Sequence, residues 1–407
     1  MQIIIPMSGE GKRFRTAGYK TLKPLINVAG RPIIAHIIDL FPVETNFLFI
    51  CNELHLKNKK LNLKKILLKY CPTAQIVAIK PHKLGPVHAI LQAKKQILLK
   101  EKIIVNYCDF SCLWDFSKFK NMCSDTNIHG IIPSYKNFHP HSLGKTNYAY
   151  LKTIGNKVVD IKEKEPFTND KMNEFASSGT YFFSSGQLMI EAMEFVYSNN
   201  LSVSGEFYVS LCYKYLFKKG YNVQIFKINH FMQWGTPEDL EEFLYWEDTF
   251  KKIQQKKTNK QTLGFNIMPM AGFGKRFSEQ GFKKIKPLIL VNKSPMFVSA
   301  INDLPSSFKN VFVIREDKNN KELLQNIEKY FPESIIFKLK KPTQGQAVTS
   351  AFALKELKHK IENLDKPITF GSCDNGIIYN FNKFKEILIN KNTDVIVWGV
   401  ENYFYAK

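Results

Sequence analysis

A glycine-rich stretch near the start of the chain has the composition of an anion-binding loop. Residues 6–14, PMSGEGKRF, follow the apolar run MQIII, which predicts a buried strand. Gly9 and Gly11 allow backbone N–H groups to approach an anion closely, and Lys12 and Arg13 add positive charge. These residue types together indicate phosphate, because arginine offers a planar fork of donors that matches phosphate oxygens.

The same loop occurs a second time in the chain. Residues 266–291 are identical to residues 3–28 at fifteen of 26 positions without a gap, at a separation of 263 residues. Arg13 and Arg276, two of only five arginines in the chain, occupy the same place in the two copies. The separation is far too long for a solenoid repeat, so the identity predicts two tandem, duplicated domains.

A lysine and an aspartate recur after each loop. Lys23 precedes Pro24 in the stretch KPLI, a context that favours an extended backbone, and Lys286 has the same context. A lysine held in this way is placed to contact a phosphate. Asp109 and Asp374 each end a predicted strand, where a carboxylate facing a phosphate loop is suited to Mg²⁺.

Apolar strands and amphipathic helices alternate along both copies. This alternation predicts an α/β layer fold with a mostly parallel sheet, in which ligands bind at the carboxyl ends of the strands. We expect a complete domain over residues 1–245, a linker over residues 246–264 and a second domain over residues 265–407. The second copy has no counterpart of residues 145–240, so we expect it to be a truncated domain.

The bulk composition excludes several classes of protein. The net charge of +22 comes almost entirely from lysines spread along the chain, and no nucleic-acid-binding motif accompanies them, so a polyanionic small molecule is the better partner. Seven scattered cysteines form neither a disulfide framework nor a zinc motif. No apolar run is long enough for a membrane span, and a cytoplasmic protein is expected. The composition leaves the oligomeric state open, and an oligomer is compatible with it.

The arrangement of these motifs resembles one enzyme family. The loop lacks the GxxxxGK[ST] pattern of P-loops, and Phe14 stands where a dinucleotide-binding loop carries a third glycine. The order of strand, GxGxR loop, KPL, strand and aspartate resembles the sugar-nucleotide pyrophosphorylases and the related phosphocholine cytidylyltransferases. Residues 1–245 resemble them over most of their length, although Ser8 and Phe14 replace a glycine and the leucine of the motif GGxGxRL. The resemblance implies a three-layer α/β/α sandwich, Rossmann-like and similar to GT-A folds, here duplicated.

The resemblance also implies a reaction. The nucleotidyl group of an NTP would pass to a phosphorylated acceptor such as a sugar 1-phosphate, with release of pyrophosphate and with Mg²⁺ as cofactor. The product would supply surface polysaccharide synthesis. On this basis Arg13, Lys23 and Asp109 are expected to be catalytic, and Asp109 to hold the metal.

Further residues are expected at the site because of the same resemblance. Those expected to bind the nucleotide are Ser8, Gly9, Gly11, Lys12 and Gly85, the last in HKLGPVH. Those expected to bind the acceptor are Glu163 and Lys164 in KEKEPF and Gly179 in ASSGTYFF. In QWGTPEDL, Gln233 replaces the acidic metal ligand of the family, and a neutral amide is a poorer ligand for Mg²⁺. The expected counterparts in the second copy are Gly272, Gly274, Lys275, Arg276, Lys286, Gly345 and Asp374.

Two alternatives stay open from the sequence. A glycosyltransferase of similar architecture would hold its metal with two acids in a DxD pattern, which neither CDFSC nor CDNGI provides. The second copy is alternatively a nucleotide-binding or partner-docking module without catalysis, because it keeps the nucleotide motifs alone.

Overall fold

In a computed structural model of the chain, the first apolar run forms a buried strand, β1 (Gln2–Met7). Ile3 and Ile5 pack into one apolar cluster, and Ile4 packs into a second cluster. Side chains alternate between the two faces of a strand, so both faces of this sheet must be covered by other elements. The structure describes residues 1–137, 139, 148–255, 263–317, 320–361 and 364–400.

The chain divides into two units, Met1–Asp248 and Thr249–Lys407. The strands after β1 in the first unit are β2 (Asn27–Val28), β3 (Arg31–Pro32), β4 (Phe47–Asn52), β5 (Gln75–Ile79), β6 (Ile103–Asn106), β7 (Phe110–Leu113), β8 (Gly130–Tyr135), β9 (Ala149–Ile154), β10 (Lys157–Glu163), β11 (Phe175–Ser177), β12 (Thr180–Phe183), β13 (Val223–Lys227) and β14 (His230–Gln233). Its helices are α1 (Lys12–Thr16), α2 (Ile33–Asp39), α3 (Glu53–Lys57), α4 (Leu63–Tyr70), α5 (Gly85–Gln92), α6 (Phe116–Met122), α7 (Gly186–Ser198), α8 (Tyr213–Lys218) and α9 (Pro237–Gln255).

A ten-stranded sheet forms the centre of the first unit, in the order β11-β9-β10-β13-β8-β12-β6-β1-β4-β5. The strands β6, β1, β4 and β5 are parallel, as predicted. The expectation of a mostly parallel sheet is wrong for the other half, where β12 is antiparallel to both β6 and β8, and β9 is antiparallel to β10. The reason is the length of the connections, because the two residues between β9 and β10 cannot cross over the sheet.

Helices cover both faces of this sheet. Ile33 of α2 and Leu67 of α4 belong to the same cluster as Ile3, whereas Val87 of α5 and Met193 of α7 pack with Ile4. The first unit is therefore a three-layer α/β/α sandwich, as the sequence predicts.

The second unit is built around a smaller sheet. Its elements are β15 (Phe265–Pro269), α10 (Lys275–Glu279), β16 (Leu290–Val291), β17 (Ser294–Pro295), α11 (Met296–Asp303), β18 (Lys309–Arg315), α12 (Lys321–Tyr330), β19 (Ile335–Leu339), α13 (Gln346–Lys360), β20 (Ile368–Phe370) and α14 (Phe381–Leu388). Four parallel strands pair in the order β19-β18-β15-β20, the same arrangement as β5-β4-β1-β6. Tandem duplication explains both this order and the repeated sequence, and it stays a prediction.

The predicted linker begins inside a helix. Helix α9 continues to Gln255, so residues 246–255 are helical, and residues 256–262 lie outside the described part of the chain. The domain bounds at 245 and 265 stay predictions. No helix in the described part of the chain combines the length and the apolar character needed to cross a membrane. All seven cysteines are free thiols, and most of them are buried.

Candidate active site

A cavity of about 630 Å³ lies at the carboxyl ends of β1 and β6 in the first unit. Its wall contains predicted site residues from distant parts of the sequence: Ser8, Gly9, Gly11, Lys12, Arg13, Lys23, Gly85, Asp109, Glu163, Lys164 and Gly179. Gln233 is buried, with only 6% of its surface exposed. The roles given to these residues stay proposals, but the fold brings them to one place.

The glycine loop passes from β1 into α1 with a left-handed residue at its end. Gly11 has φ 62°, a conformation that side chains rarely adopt, and it directly precedes α1. Lys12 and Arg13 start the helix and line the cavity. Phe14 is buried, and its ring lies edge-on to Tyr19 at 5.2 Å between centroids. Phe14, which replaces the family's leucine, therefore anchors the loop in the core.

Lys23 is held by two partners from distant segments. Its Nζ donates to Asp109 Oδ2 at 2.9 Å and to the carbonyl oxygen of Gly235 at 3.0 Å. Its side chain is 16% exposed, against 34% for Asp109. The predicted extended backbone is wrong here, because Lys23–Leu25 form a 3₁₀ turn with Pro24 in its first positions, where a missing N–H loses no helical hydrogen bond. Lys23 thus orients the carboxylate that the sequence assigned to Mg²⁺.

His82 contacts the glycine loop through Ser8. The His82 Nδ1 accepts from the backbone N–H of Leu84 at 3.2 Å, so Nε2 carries the proton and donates to Ser8 Oγ at 3.3 Å. The ring of His88 lies 4.7 Å away. Burial, followed by the proximity of His88, lowers the pKa of His82, so the neutral ring persists near pH 7. Sequence reasoning selected the stretch around Gly85 for base recognition but did not single out His82.

Gly85 is required by a close backbone approach. It has φ 84°, and a Cβ at this position would lie 2.8 Å from the backbone nitrogen of Phe207. The Phe207 N–H donates to the carbonyl oxygen of Leu84 at 2.9 Å. This glycine therefore joins the nucleotide half of the unit to the segment before α8, whether or not it also contacts a base.

Glu163 lies at the end of β10 and lines the cavity. Its carboxylate accepts from the hydroxyl of Ser210 at 2.6 Å. Burial raises the pKa of Glu163 to about 7, although the hydrogen bond from Ser210 acts in the opposite direction. The side chain therefore changes charge close to neutral pH, which suits a group that receives hydrogen bonds from an acceptor.

Lys164 directly follows Glu163 and has a left-handed backbone, with φ 60°. Its Nζ donates to the hydroxyl of Tyr208 at 2.5 Å and lies 4.4 Å from the centroid of that ring. Tyr208 in turn donates to Glu206. Such a backbone is uncommon for lysine, which indicates that the surrounding structure fixes the direction of this side chain.

Gly179 allows the backbone to approach two aromatic rings closely. It has φ 94°, and a Cβ there would lie 3.2 Å from Phe110 and 3.3 Å from Tyr107. The preceding Ser178 is 1% exposed and lines the cavity, and within the described residues its hydroxyl has no hydrogen-bond partner. A buried hydroxyl without a partner is costly, and this makes Ser178 a candidate ligand contact. Only the fold reveals it, since the sequence shows it as one serine among many.

Gln233 is locked into a network of hydrogen bonds. Its Oε1 accepts from the hydroxyl of Tyr148, and its Nε2 donates to Asp239 at 2.5 Å. Asp239 also accepts from the N–H of Thr236 at 3.1 Å, at the start of α9. Burial, with a smaller contribution from Asp109, raises the pKa of Asp239. Sequence reasoning missed Asp239, although its place in QWGTPEDL was a usable signal.

These contacts show which side chains can serve as ligands of a metal ion. In the described part of the chain, no group of three or more histidine, cysteine, aspartate or glutamate side chains is arranged to hold an ion. Mg²⁺ in nucleotide sites is commonly held by one or two carboxylates together with substrate phosphates. Asp109 fits that pattern, because its carboxylate lines the cavity. Gln233 does not fit, because both ends of its amide are already hydrogen-bonded to protein groups.

The second unit has its own cavity, of about 380 Å³, at the end of β15. The predicted residues that line it are Gly272, Gly274, Lys275, Arg276, Lys286 and Gly345. Gly274 has φ 63°, matching Gly11. The Lys286 Nζ donates to Asp374 Oδ2 at 2.5 Å, so the pair of Lys23 and Asp109 has a structural counterpart.

Comparison with known proteins adds a family. A family model described as nucleotidyl transferase matches residues 2–252. The nucleoside-diphosphate-sugar pyrophosphorylase from Vibrio cholerae RC9 is 21% identical, with a TM-score of 0.48 over 60% of this chain and 100% of its own. A UDP-glucose pyrophosphorylase complexed with UDP-glucose is 15% identical, with a TM-score of 0.47 over 61% of this chain and 98% of its own. No curated protein matches the chain.

The family match extends over more than half of the chain and includes all the predicted site residues of the first unit. Residues 253–407 lie outside it. The chain therefore belongs to the nucleotidyl transferase family and is a nucleotidyltransferase.

Proposed function

We propose that the first unit transfers the nucleotidyl group of an NTP to a phosphorylated small molecule, first of all a sugar 1-phosphate, with release of pyrophosphate. Nucleotidyl transfer follows from the family. The observation that supports the rest is the single cavity that joins the glycine loop, the pair of Lys23 and Asp109, and the pair of Glu163 and Lys164. The use of the product in surface polysaccharide synthesis and a cytoplasmic location rest on the sequence analysis alone.

The reaction needs positioning and charge neutralisation rather than a covalent nucleophile. A bond forms between an oxygen of the acceptor phosphate and the α-phosphorus, while the bond from that phosphorus to the oxygen bridging the β-phosphate breaks. The backbone of Gly9 and Gly11 holds the triphosphate in this proposal. Lys12 and Arg13 stabilise the negative charge that develops on pyrophosphate.

The acceptor phosphate would be aligned from the opposite wall. Lys164 directly follows Glu163, and its contact with Tyr208 has to open before Nζ can reach a phosphate. Asp109, oriented by Lys23, would hold Mg²⁺, which when bound neutralises charge on phosphate oxygens. Glu163 would accept hydrogen bonds from the acceptor in its ionised form.

The test is product identification by mass spectrometry, with the four common NTPs and a panel of phosphorylated acceptors, together with a pyrophosphate-release assay. We expect Arg13→Ala and Asp109→Asn to lower turnover about 100-fold or more. Arg31→Ala is the matched control, because Arg31 is 42% exposed and pairs with Asp39 instead of lining the cavity. Unchanged turnover in both site variants, or transfer of sugar from a nucleotide sugar without pyrophosphate, refutes the proposal.

A second class of acceptor has support from the composition of the cavity wall. Tyr107, Tyr181 and Tyr208 line the acceptor half together with Glu163 and Glu206. Aromatic faces and carboxylates are the groups that bind an alkylammonium ion. A phosphorylated amino alcohol of the phosphocholine type therefore belongs in the acceptor panel. Transfer to it, in preference to sugar phosphates, decides between the two classes.

A further inference from the structure

The two glycine loops differ at two positions that line their cavities, Ser8 against Ala271 and Glu10 against Phe273. Glu10, between the two glycines of the first loop, forms an ion pair with Arg15 at 2.9 Å. Its counterpart Phe273 lines the cavity of the second unit and is 60% exposed. Phe273 therefore presents an apolar ring to a cavity whose loop is otherwise polar and basic.

An arginine supports this ring. Arg315 is the last residue of β18, and its guanidinium carbon lies 4.1 Å from the centroid of the Phe273 ring. Phe273 lines the cavity, whereas Arg315 does not. The Arg315 side chain is 13% exposed, and its Nη2 contacts Asp317 at 3.0 Å. Within the described residues, its buried Nε and Nη1 have no hydrogen-bond partner. The aromatic face therefore serves as a second partner of this cation, beside Asp317, and the contact holds the ring in place.

The strand register shows that the support is particular to the second unit. Pro6 of β1 pairs with Ile50, and Pro269 of β15 pairs with Val313. Two residues further along, Arg315 therefore occupies the position that Asn52 has in the first unit. Phe273 and Arg315 stand where the first unit has Glu10 and Asn52, and those two residues cannot form a contact between a cation and an aromatic ring.

Three polar side chains beside the glycine loop of the first unit have apolar counterparts in the second unit. Ser8 and His82, which share a hydrogen bond in the first unit, correspond to Ala271 and Pro342. His88 corresponds to Val348, which is 48% exposed. At these three positions, side chains with hydrogen-bonding groups are replaced by apolar ones, while Thr343 and Gln346 are polar side chains that line the second cavity.

We propose that the second unit binds nucleoside triphosphates by stacking the nucleobase on Phe273, and that it does so with little preference for the base. The phosphates would occupy the loop from Gly272 to Arg276, which the first unit also possesses. Stacking tolerates all bases because each has a π face, whereas hydrogen-bonding groups distinguish them. The inference shares with the proposed function the premise that these glycine loops bind triphosphates, but it requires no turnover in the second unit.

The test uses the full chain with Arg13→Ala, which weakens nucleotide binding in the first unit. Calorimetric titration with UTP, CTP, ATP and GTP should then show one site with dissociation constants within about threefold of each other. Adding Phe273→Ala or Phe273→Glu should weaken the binding of all four nucleotides about tenfold, which is the lower range of base–aromatic stacking. The dissociation constant of inorganic triphosphate should change by less than about twofold. Phe273→Tyr should retain binding.

The matched control is Phe308→Ala, because Phe308 is 52% exposed in the same unit and does not line the cavity. A thermal transition of each variant checks folding. Equal loss of UTP and inorganic triphosphate, no loss of either, or the absence of the second site overturns the inference. Pyrophosphate release by the unmodified first unit is measured separately, so a failure of the proposed function is distinguished from a failure of this inference.

Discussion

The contact between Lys23, Asp109 and Gly235 gives the sharpest prediction for the first unit. Replacing Lys23 by methionine keeps most of the side-chain volume and removes two charge-assisted hydrogen bonds, of 2.9 and 3.0 Å. At 2.9 Å and an effective dielectric constant near 20, the gross attraction between the two charges is about 6 kcal/mol. Desolvation offsets much of it. Because Asp109 is 34% exposed and can regain water, we expect a net loss of about 2–3 kcal/mol in the free energy of unfolding.

The effect on turnover should be larger than the effect on stability alone explains. Asp109 loses the group that fixes its rotamer, and we expect kcat to fall about 100-fold, which corresponds to about 2.7 kcal/mol of activation free energy. The assays are urea unfolding and pyrophosphate release on the same preparations. Lys20→Met is the matched control, since Lys20 is an exposed lysine three residues earlier in the chain.

A double-mutant cycle separates this reasoning from a general loss of structure. If Lys23 acts through Asp109, then Lys23→Met combined with Asp109→Asn should lower kcat little more than the worse single variant does. Additive losses in kcat, or a Lys23→Met enzyme that retains turnover within about twofold, would refute the positioning role.

Four further predictions follow from the site. Gly85→Ala should destabilise the first unit by about 2 kcal/mol or more, because a Cβ would lie 2.8 Å from the Phe207 nitrogen, whereas Gly18→Ala, with open space around it, should cost about 1 kcal/mol; urea unfolding compares them. With a pKa of Glu163 raised to about 7, the KM for the acceptor should fall as the pH rises from 6 to 8, and Glu163→Gln should remove that dependence; an unchanged profile contradicts the role given to this carboxylate. The same shift predicts that Glu163 stabilises the fold at low pH and that this contribution is lost as the pH rises from about 4.5 through about 7. Gln233→Asp should lower the Tm without metal, since it adds a charge beside another carboxylate, and its Tm should rise more with Mg²⁺ than that of the unaltered protein; equal Mg²⁺ responses would show that this position is remote from the ion.

The part of the site that is built from short sequence motifs could be predicted from the sequence. The glycine loop, Lys23 and Asp109 belong to motifs that repeat in the chain, and parallel strands bring such motifs to one edge of a sheet. The parallel part of the sheet was predictable for the same reason, because alternating strands and helices determine it.

The rest of the site depends on contacts between segments that are far apart in sequence. Ser178 has no pattern that distinguishes it from a surface serine, and its unpaired hydroxyl becomes visible only when burial is known. Gln233 was noted as a departure from the family, but its partners Tyr148 and Asp239 come from other elements. The antiparallel strands β9 to β12 were not predicted, because the segments that form them were not assigned to strands from their pattern.

The contacts of Lys23 also place a condition on the order of events during synthesis. Lys23 and Asp109 leave the ribosome early, but the carbonyl group that completes their arrangement belongs to Gly235, which is 212 positions after Lys23. A nascent chain shorter than this can form β1, β4 and β6, yet it leaves the ammonium group of Lys23 without its second acceptor. Lys286 and Asp374 are separated by only 88 positions. The second pair can therefore form as soon as its own sheet does, whereas the first pair becomes complete only when nearly the whole first unit has been synthesised.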